Sequence, residues 1–106
     1  TSKPIHIEEV GYSSSIANGG STQLQAEFFS EIFKAWDVHA DRIPSLAILR
    51  MVDKSRTDSE NIGNLYGLSN NESFIEYIRT LGIKYHDGTE KEAFLLIEQE
   101  LKKRGF

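Results

Sequence analysis

Apolar positions in the chain change period several times, and each change marks an element. After Lys3-Pro4, the residues Ile5, Ile7 and Val10 form a short extended run that ends in a turn-rich stretch from Gly11 to Ser21, which predicts a strand over Ile5–Val10 and then a loop. Strict alternation puts Ile5, Ile7 and Glu9 on one face and His6, Glu8 and Val10 on the other, so the two adjacent acids are expected to point oppositely. From Gln23 the period becomes helical. Leu24, Phe28, Phe29, Ile32, Phe33 and Trp36 fall on one broad stripe, with Glu27, Ser30, Glu31 and Lys34 opposite, and Thr22 with Gln25 fits a capping box at its start. Leu46 to Val52 is then almost unbroken by polar residues, as in a strand covered on both faces. Strand, amphipathic helix and strand make a βαβ unit, whose two strands are expected to be parallel.

The second half of the chain is more helical. Asp53 to Asn61 is polar and without period and is expected to be a long loop at the C-terminal end of the second strand, with a helical turn over Ile62–Tyr66. Ser69 with Glu72 suggests a second capping box ahead of Phe74, Ile75, Tyr77, Ile78 and Leu81, and Gly82 is expected to stop that helix. Asp87-Gly88 signals a tight turn, and Thr89 with Glu92 suggests a third box before the stripe of Ala93, Phe94, Leu96, Ile97 and Leu101. Lys102, Lys103 and Arg104 oppose the C-terminal helix dipole, and Gly105 fits the cap. The pattern as a whole is α/β, a βαβα segment with two parallel strands.

Composition narrows the function classes. With 106 residues and 39% hydrophobic content the chain can bury a small core, and its charge of -4, with both signs interspersed, offers no basic stripe for phosphates, so no nucleic-acid partner is expected. No apolar run approaches the roughly 20 residues of a membrane span. The absence of cysteine excludes disulfides, a thiol nucleophile and zinc–thiolate sites. His6, His39 and His86 are scattered on a strand, a helix end and a turn, which gives no metal spacing, and neither a P-loop nor a Gly-x-Ser-x-Gly elbow is present. No metal or cofactor is therefore expected. Asn71-Glu72-Ser73 fits the N-glycosylation triplet, a pattern that arises often by chance. Met51 is the only methionine, so Thr1 is not a translation start, and the chain is expected to derive from something longer.

Two phrases and their separation carry a family resemblance. Lys3-Pro4-Ile5-His6-Ile7-Glu8-Glu9-Val10-Gly11-Tyr12 is similar to the seventh-strand phrase of the cellulase-like superfamily of (β/α)8-barrel glycoside hydrolases. Thr80-Leu81-Gly82-Ile83-Lys84, with Asp87-Gly88-Thr89-Glu90-Lys91-Glu92-Ala93, is similar to the phrase that opens their eighth helix. The resemblance implies that residues 1–106 are the C-terminal portion of such a TIM barrel, with Leu46 to Val52 as its eighth strand. It implies a retaining glycosidase acting on a β-linked polysaccharide or oligosaccharide, with Glu9 as the nucleophile and Tyr12, Arg50 and Asp53 contacting sugar. The acid/base carboxyl would lie on the fourth strand, outside this sequence, so the chain alone is expected to be inactive. Members commonly carry a tryptophan at the tip of the eighth strand, where this chain has Arg50, Met51 and Asp53. The partners implied are carbohydrate and the remainder of the barrel. Two other readings stay open: a small self-associating α/β interaction domain, and a barrel remnant that binds glycan without catalysis.

Overall fold

The computed structural model describes residues 3–106; Thr1 and its expected processing lie outside the described residues. The architecture is mixed α/β. Strand β1 (His6–Val10) and strand β2 (Ser45–Ile48) pair in parallel, joined by helix α1 (Thr22–His39), and helices α2 (Arg56–Leu65), α3 (Glu72–Arg79) and α4 (Glu92–Lys103) follow. A 3₁₀ turn at Ile16–Asn18 interrupts the loop after β1.

The helical stripe read from the sequence is the core. Ala26, Phe29 and Phe33 of α1 are buried with Val10 of β1, Ile83, and Ala93 and Ile97 of α4, while Phe28, Ile32 and Trp36 pack at the margin. Burying this apolar area is the main favourable contribution to the fold, at about 25 cal/mol per Å² removed from water. Trp36 Nε1 donates to the Ile43 carbonyl at 2.7 Å, which fixes the turn into β2. At the far end, the Arg104 guanidinium donates to Asp37 at 2.8 and 2.6 Å and to Glu100 at 2.7 Å, and it lies 4.8 Å from the centre of the Phe33 ring, so the C-termini of α1 and α4 are held together.

The two strands depart from the sequence reading in register and in burial. Ile7 pairs with Leu46 and Val10 with Ile48, so three steps along β1 match two along β2. Glu8 and Glu9 occupy the interval opposite Ala47, the two-against-one count of a β-bulge. The bulge returns Val10 to the face of Ile7, and both line a small apolar hollow of about 80 Å³ against Ile32 and Trp36 of α1. The alternation expected over Ile5–Val10 therefore fails at the acids, and both are exposed. β2 is also shorter than Leu46–Val52 and is covered on one face only: Leu46 and Ile48 are half-buried, but Ser45 and Ala47 are exposed. A continuous apolar run predicts two covers, and among the described residues only the α1 side supplies one.

Past β2 the chain bends and continues as an irregular pairing. Val52 bridges Lys84 in parallel, Lys84 bridges Glu90, and the Met51 carbonyl accepts from the amides of Ile83 and Lys84. The polar stretch expected to be a loop over Asp53–Asn61 is instead the start of α2, capped by Ser55, which accepts from the Asp58 amide at 3.0 Å. Its buried face is small, Ser59 and Gly63 against α3, which explains why no apolar stripe announces it. The capping boxes also move. Ser21, not Thr22, caps α1; Asn71, not Ser69, caps α3; and Lys91, not Thr89, stands at the N-cap of α4 and makes no side-chain cap bond. α3 ends at Arg79, ahead of Gly82. Gly82 serves a different purpose: a Cβ there would lie 2.3 Å from the Asp53 amide nitrogen, so only glycine lets this segment cross the end of β2.

Candidate functional site

Ligand sites on parallel α/β sheets form at the carboxyl ends of the strands, and here that end is built from the loop after β1, the segment after β2, the segment between α3 and α4, and the first turns of α1 and α4. Beneath it lies a buried polar knot. Lys91, fully buried, donates from Nζ to Asp53 Oδ1 at 2.8 Å, to the Gly82 carbonyl at 2.9 Å and to Ser14 Oγ at 3.0 Å, which uses all three of its protons. Asp53 Oδ1 also accepts from the Gly82 amide at 2.9 Å. Gln25, equally buried on α1, donates from Nε2 to the carbonyls of Tyr12 and Gly82, both at 2.9 Å. Burial pushes the Lys91 ammonium below the usual lysine value, and the hydrogen bond and charge of Asp53 act against that shift. One cation thus ties the loop after β1, the end of β2 and the start of α4 into a unit.

The residues singled out for sugar contact fall on both sides of this knot. Asp53 belongs to it: its side chain is only 2% exposed, and its Oδ1 is held by Lys91 and the Gly82 amide at the edge of the larger hollow described below. Arg50 is half-buried and donates to the Ile78 carbonyl at 2.6 Å, pinning the end of α3 to β2. Tyr12 is half-buried, its ring stacked on Phe28 at 5.2 Å, and it borders an open hollow. Glu9 lies within the bulge of β1, exposed, two residues before the Gly11 and Tyr12 walls of that hollow.

Two hollows open here on either side of the 3₁₀ turn. The larger, about 350 Å³, lies between Ser14, Ser15, Thr22, Thr80, Tyr85 and the Glu76–Arg79 pair. Arg79 Nε and Nη2 donate to the two Glu76 oxygens at 2.6 and 2.7 Å, which holds the Glu76 carboxyl below the usual carboxylate range, and Thr80 Oγ1 is already bonded to Ser13 and to the Glu76 carbonyl. Its polar walls are thus largely satisfied within the chain. The smaller, about 200 Å³, is lined by Gly11, Tyr12, Ser13, Asn18, Gly20 and Tyr77. Tyr77 came into the sequence reading only as part of the α3 stripe, yet it is 45% exposed at this hollow. Its place depends on a loop-to-helix contact far apart in sequence: Asn18 Nδ2 donates to the Ser73 carbonyl at 2.9 Å, and Ser73 Oγ donates to Asn18 Oδ1.

Among the described residues no helix is long and apolar enough to cross a membrane, and no cluster of three His, Asp or Glu side chains forms a metal site. Compared with known proteins, the chain matches no family model and no curated sequence.

Proposed function

We propose that this chain supplies the seventh and eighth βα units of a cellulase-like (β/α)8-barrel glycoside hydrolase of the retaining type, acting on a β-linked saccharide, with Glu9 as its nucleophile. The observation that carries the reading is the bulge. In a regular strand Glu9 would share the face of Ile7 and be driven against α1; the extra residue opposite Ala47 takes it out of that alternation and leaves its carboxylate exposed near the carboxyl end of a parallel strand. Bulges are over-represented beside active sites because they re-aim one side chain, and catalytic groups of (β/α)8 enzymes stand at this end of the strands. His6 precedes the helix-facing Ile7 and so points away from α1; it is exposed and bonded to Ser45 Oγ at 2.6 Å, as a position facing a barrel interior allows.

The shape of the chain supports the same reading. Its radius of gyration is 15.3 Å, against about 13 Å for a compact domain of this length. Among the described residues the sheet has two strands, covered on one face, with both outer edges open. An open slab of this form suits a sector of a barrel whose missing strands would pair those edges. In the reaction, a Glu9 oxygen attacks the anomeric carbon and the bond to the leaving oxygen breaks, that oxygen taking the electron pair and a proton from an acid about 5–5.5 Å away. That acid belongs to another part of the barrel, so the chain alone is inactive.

The open edges also favour the second reading, a self-associating α/β interaction domain, and one experiment separates the two. A 2-deoxy-2-fluoro-β-glycoside with a dinitrophenyl leaving group needs no acid catalyst, so it traps the nucleophile of the assembled barrel as a stable ester. Peptide mass spectrometry is expected to find the label on Glu9. A label on a different carboxylate, or turnover by a barrel carrying Glu9→Gln, would overturn the proposal; a symmetric oligomer of this chain alone in sedimentation equilibrium, with no labelling, would establish the interaction domain.

A further inference from the structure

The 200 Å³ hollow beside the end of β1 has no charged residue in its lining, which consists of two phenol rings, the serine and amide of Ser13 and Asn18, and the backbone at Gly11 and Gly20. Both glycines are imposed by packing. A Cβ on Gly11 would come 2.8 Å from Leu49 Cδ2, and one on Gly20 would come 2.7 Å from the Ser13 carbonyl, so these walls stay bare backbone. The two aromatic walls are held in place. Tyr12 is stacked on Phe28 with the rings 30° apart, and the Asn18–Ser73 contacts clamp α3 against the 3₁₀ turn four residues ahead of Tyr77. Ser13 Oγ is bonded to Thr80 Oγ1 and to the Ser15 amide, and Asn18 spends its side-chain amide on Ser15 and Ser73, so among the described residues the polar side-chain groups of this lining left without a hydrogen-bond partner are the two tyrosine hydroxyls.

We infer that the hollow between Tyr12 and Tyr77 is a binding subsite for a single neutral pyranose ring, and that Tyr77, presented by α3, determines its specificity. The ligand class follows from the walls. An uncharged lining offers nothing to compensate a phosphate or carboxylate, while a phenol ring presents a flat face to sugar C–H groups and an O–H to sugar hydroxyls. The size follows from the volume, which is below the roughly 300–1,000 Å³ of pockets that enclose drug-sized ligands. Rigid tyrosines on both sides cost little conformational entropy on binding. The inference rests on the carbohydrate reading above but not on the role of Glu9.

The experiment is an amide NMR titration of the 106-residue chain with free glucose, galactose, mannose and xylose, and with inorganic phosphate as the anionic control. Saturable shifts are expected at Gly11, Asn18, Gly20 and Tyr77 for at least one neutral sugar and not for phosphate. Tyr77→Leu, which keeps the apolar bulk, is expected to weaken binding about tenfold, Tyr77→Phe far less, and Glu9→Gln not at all. No saturable shift with any neutral sugar, an equal response to phosphate, or a Tyr77→Leu chain that binds unchanged would each overturn the subsite. Sugar binding with no label on Glu9 would leave the subsite standing and remove the nucleophile, and the reverse pattern would do the opposite.

Discussion

The underside of the strand pair is built in two ways. Beneath the middle of β1 and β2, Phe29, Phe33, Ala93 and Ile97 make an apolar layer in which each contact is small and the total follows the area buried. Beneath the carboxyl ends, Lys91, Asp53, Gln25, Ser14 and Gly82 make a polar knot held by particular donor–acceptor pairs, with the Gln25 Oε1 oxygen as the one buried side-chain atom among the described residues that has no partner. The apolar layer tolerates approximate complementarity, whereas in the knot a lost partner leaves a buried donor, acceptor or charge uncompensated. The loops that border the candidate site are tied to the knot, so their positions are fixed by paired polar groups and not by area.

The largest effects are expected where this contrast is tested directly. Asp53→Ala leaves the Lys91 ammonium buried without its counter-ion, and Lys91→Met leaves the carboxylate; each is expected to cost about 3–5 kcal/mol in urea unfolding. Phe29→Ala in the apolar layer is expected to cost a similar amount, about 3–5 kcal/mol, through its cavity. The two regions separate in the double variants. Asp53→Leu with Lys91→Met removes both charges and is expected to recover much of the single-variant loss, while Phe29→Ala combined with Phe33→Ala only deepens it. Additive losses at the knot would show that the ion pair is not its organising contact.

The same contrast explains what the sequence made legible. The α1 stripe, the parallel β1–β2 pairing and the α4 stripe are periodic, and area-driven packing follows period. The knot is not periodic. Gln25 fitted a helix cap equally well, Asp53 read as the start of a polar loop and a sugar contact, and Lys91 entered only as part of the phrase that opens the last helix, because their partners lie 57, 38 and 77 positions away in the pairs Gln25–Gly82, Lys91–Asp53 and Lys91–Ser14. The bulge escaped for a related reason: it is set by the register with β2, which no single strand carries. Of the candidate site, Glu9 and Tyr12 could be found from their phrase, whereas Tyr77 becomes visible only once Asn18 and Ser73 bring α3 to the loop.

A smaller effect tests the caps. Ser21 Oγ accepts from the Leu24 amide at 3.0 Å, while Thr22 Oγ1 points to Glu92 at 3.4 Å. Ser21→Ala is therefore expected to lower stability by about 1 kcal/mol, and Thr22→Ala by distinctly less. A larger loss at Thr22 in thermal unfolding would restore the Thr22–Gln25 capping box and take Gln25 out of the knot.

The smallest expected effect on folding is at the two acids, and for that reason it is the most informative about function. Glu8 and Glu9 are exposed in the interval where β1 gains its extra residue, and the residues that pack on α1 are their neighbours Ile7 and Val10. Exposed carboxylates that touch no core can be neutralised with little change in stability, so Glu8→Gln and Glu9→Gln are both expected to leave the unfolding midpoint where it was. In the barrel proposed above they are expected to part: Glu9→Gln is expected to abolish turnover because an amide cannot form the glycosyl ester, whereas Glu8→Gln is expected to retain most of it. Since neither variant alters the fold, such a split cannot be a stability effect. Equal losses would mean that the bulge aims both acids at the substrate, and a midpoint lowered by Glu9→Gln alone would mean that Glu9 holds the strand and does not attack.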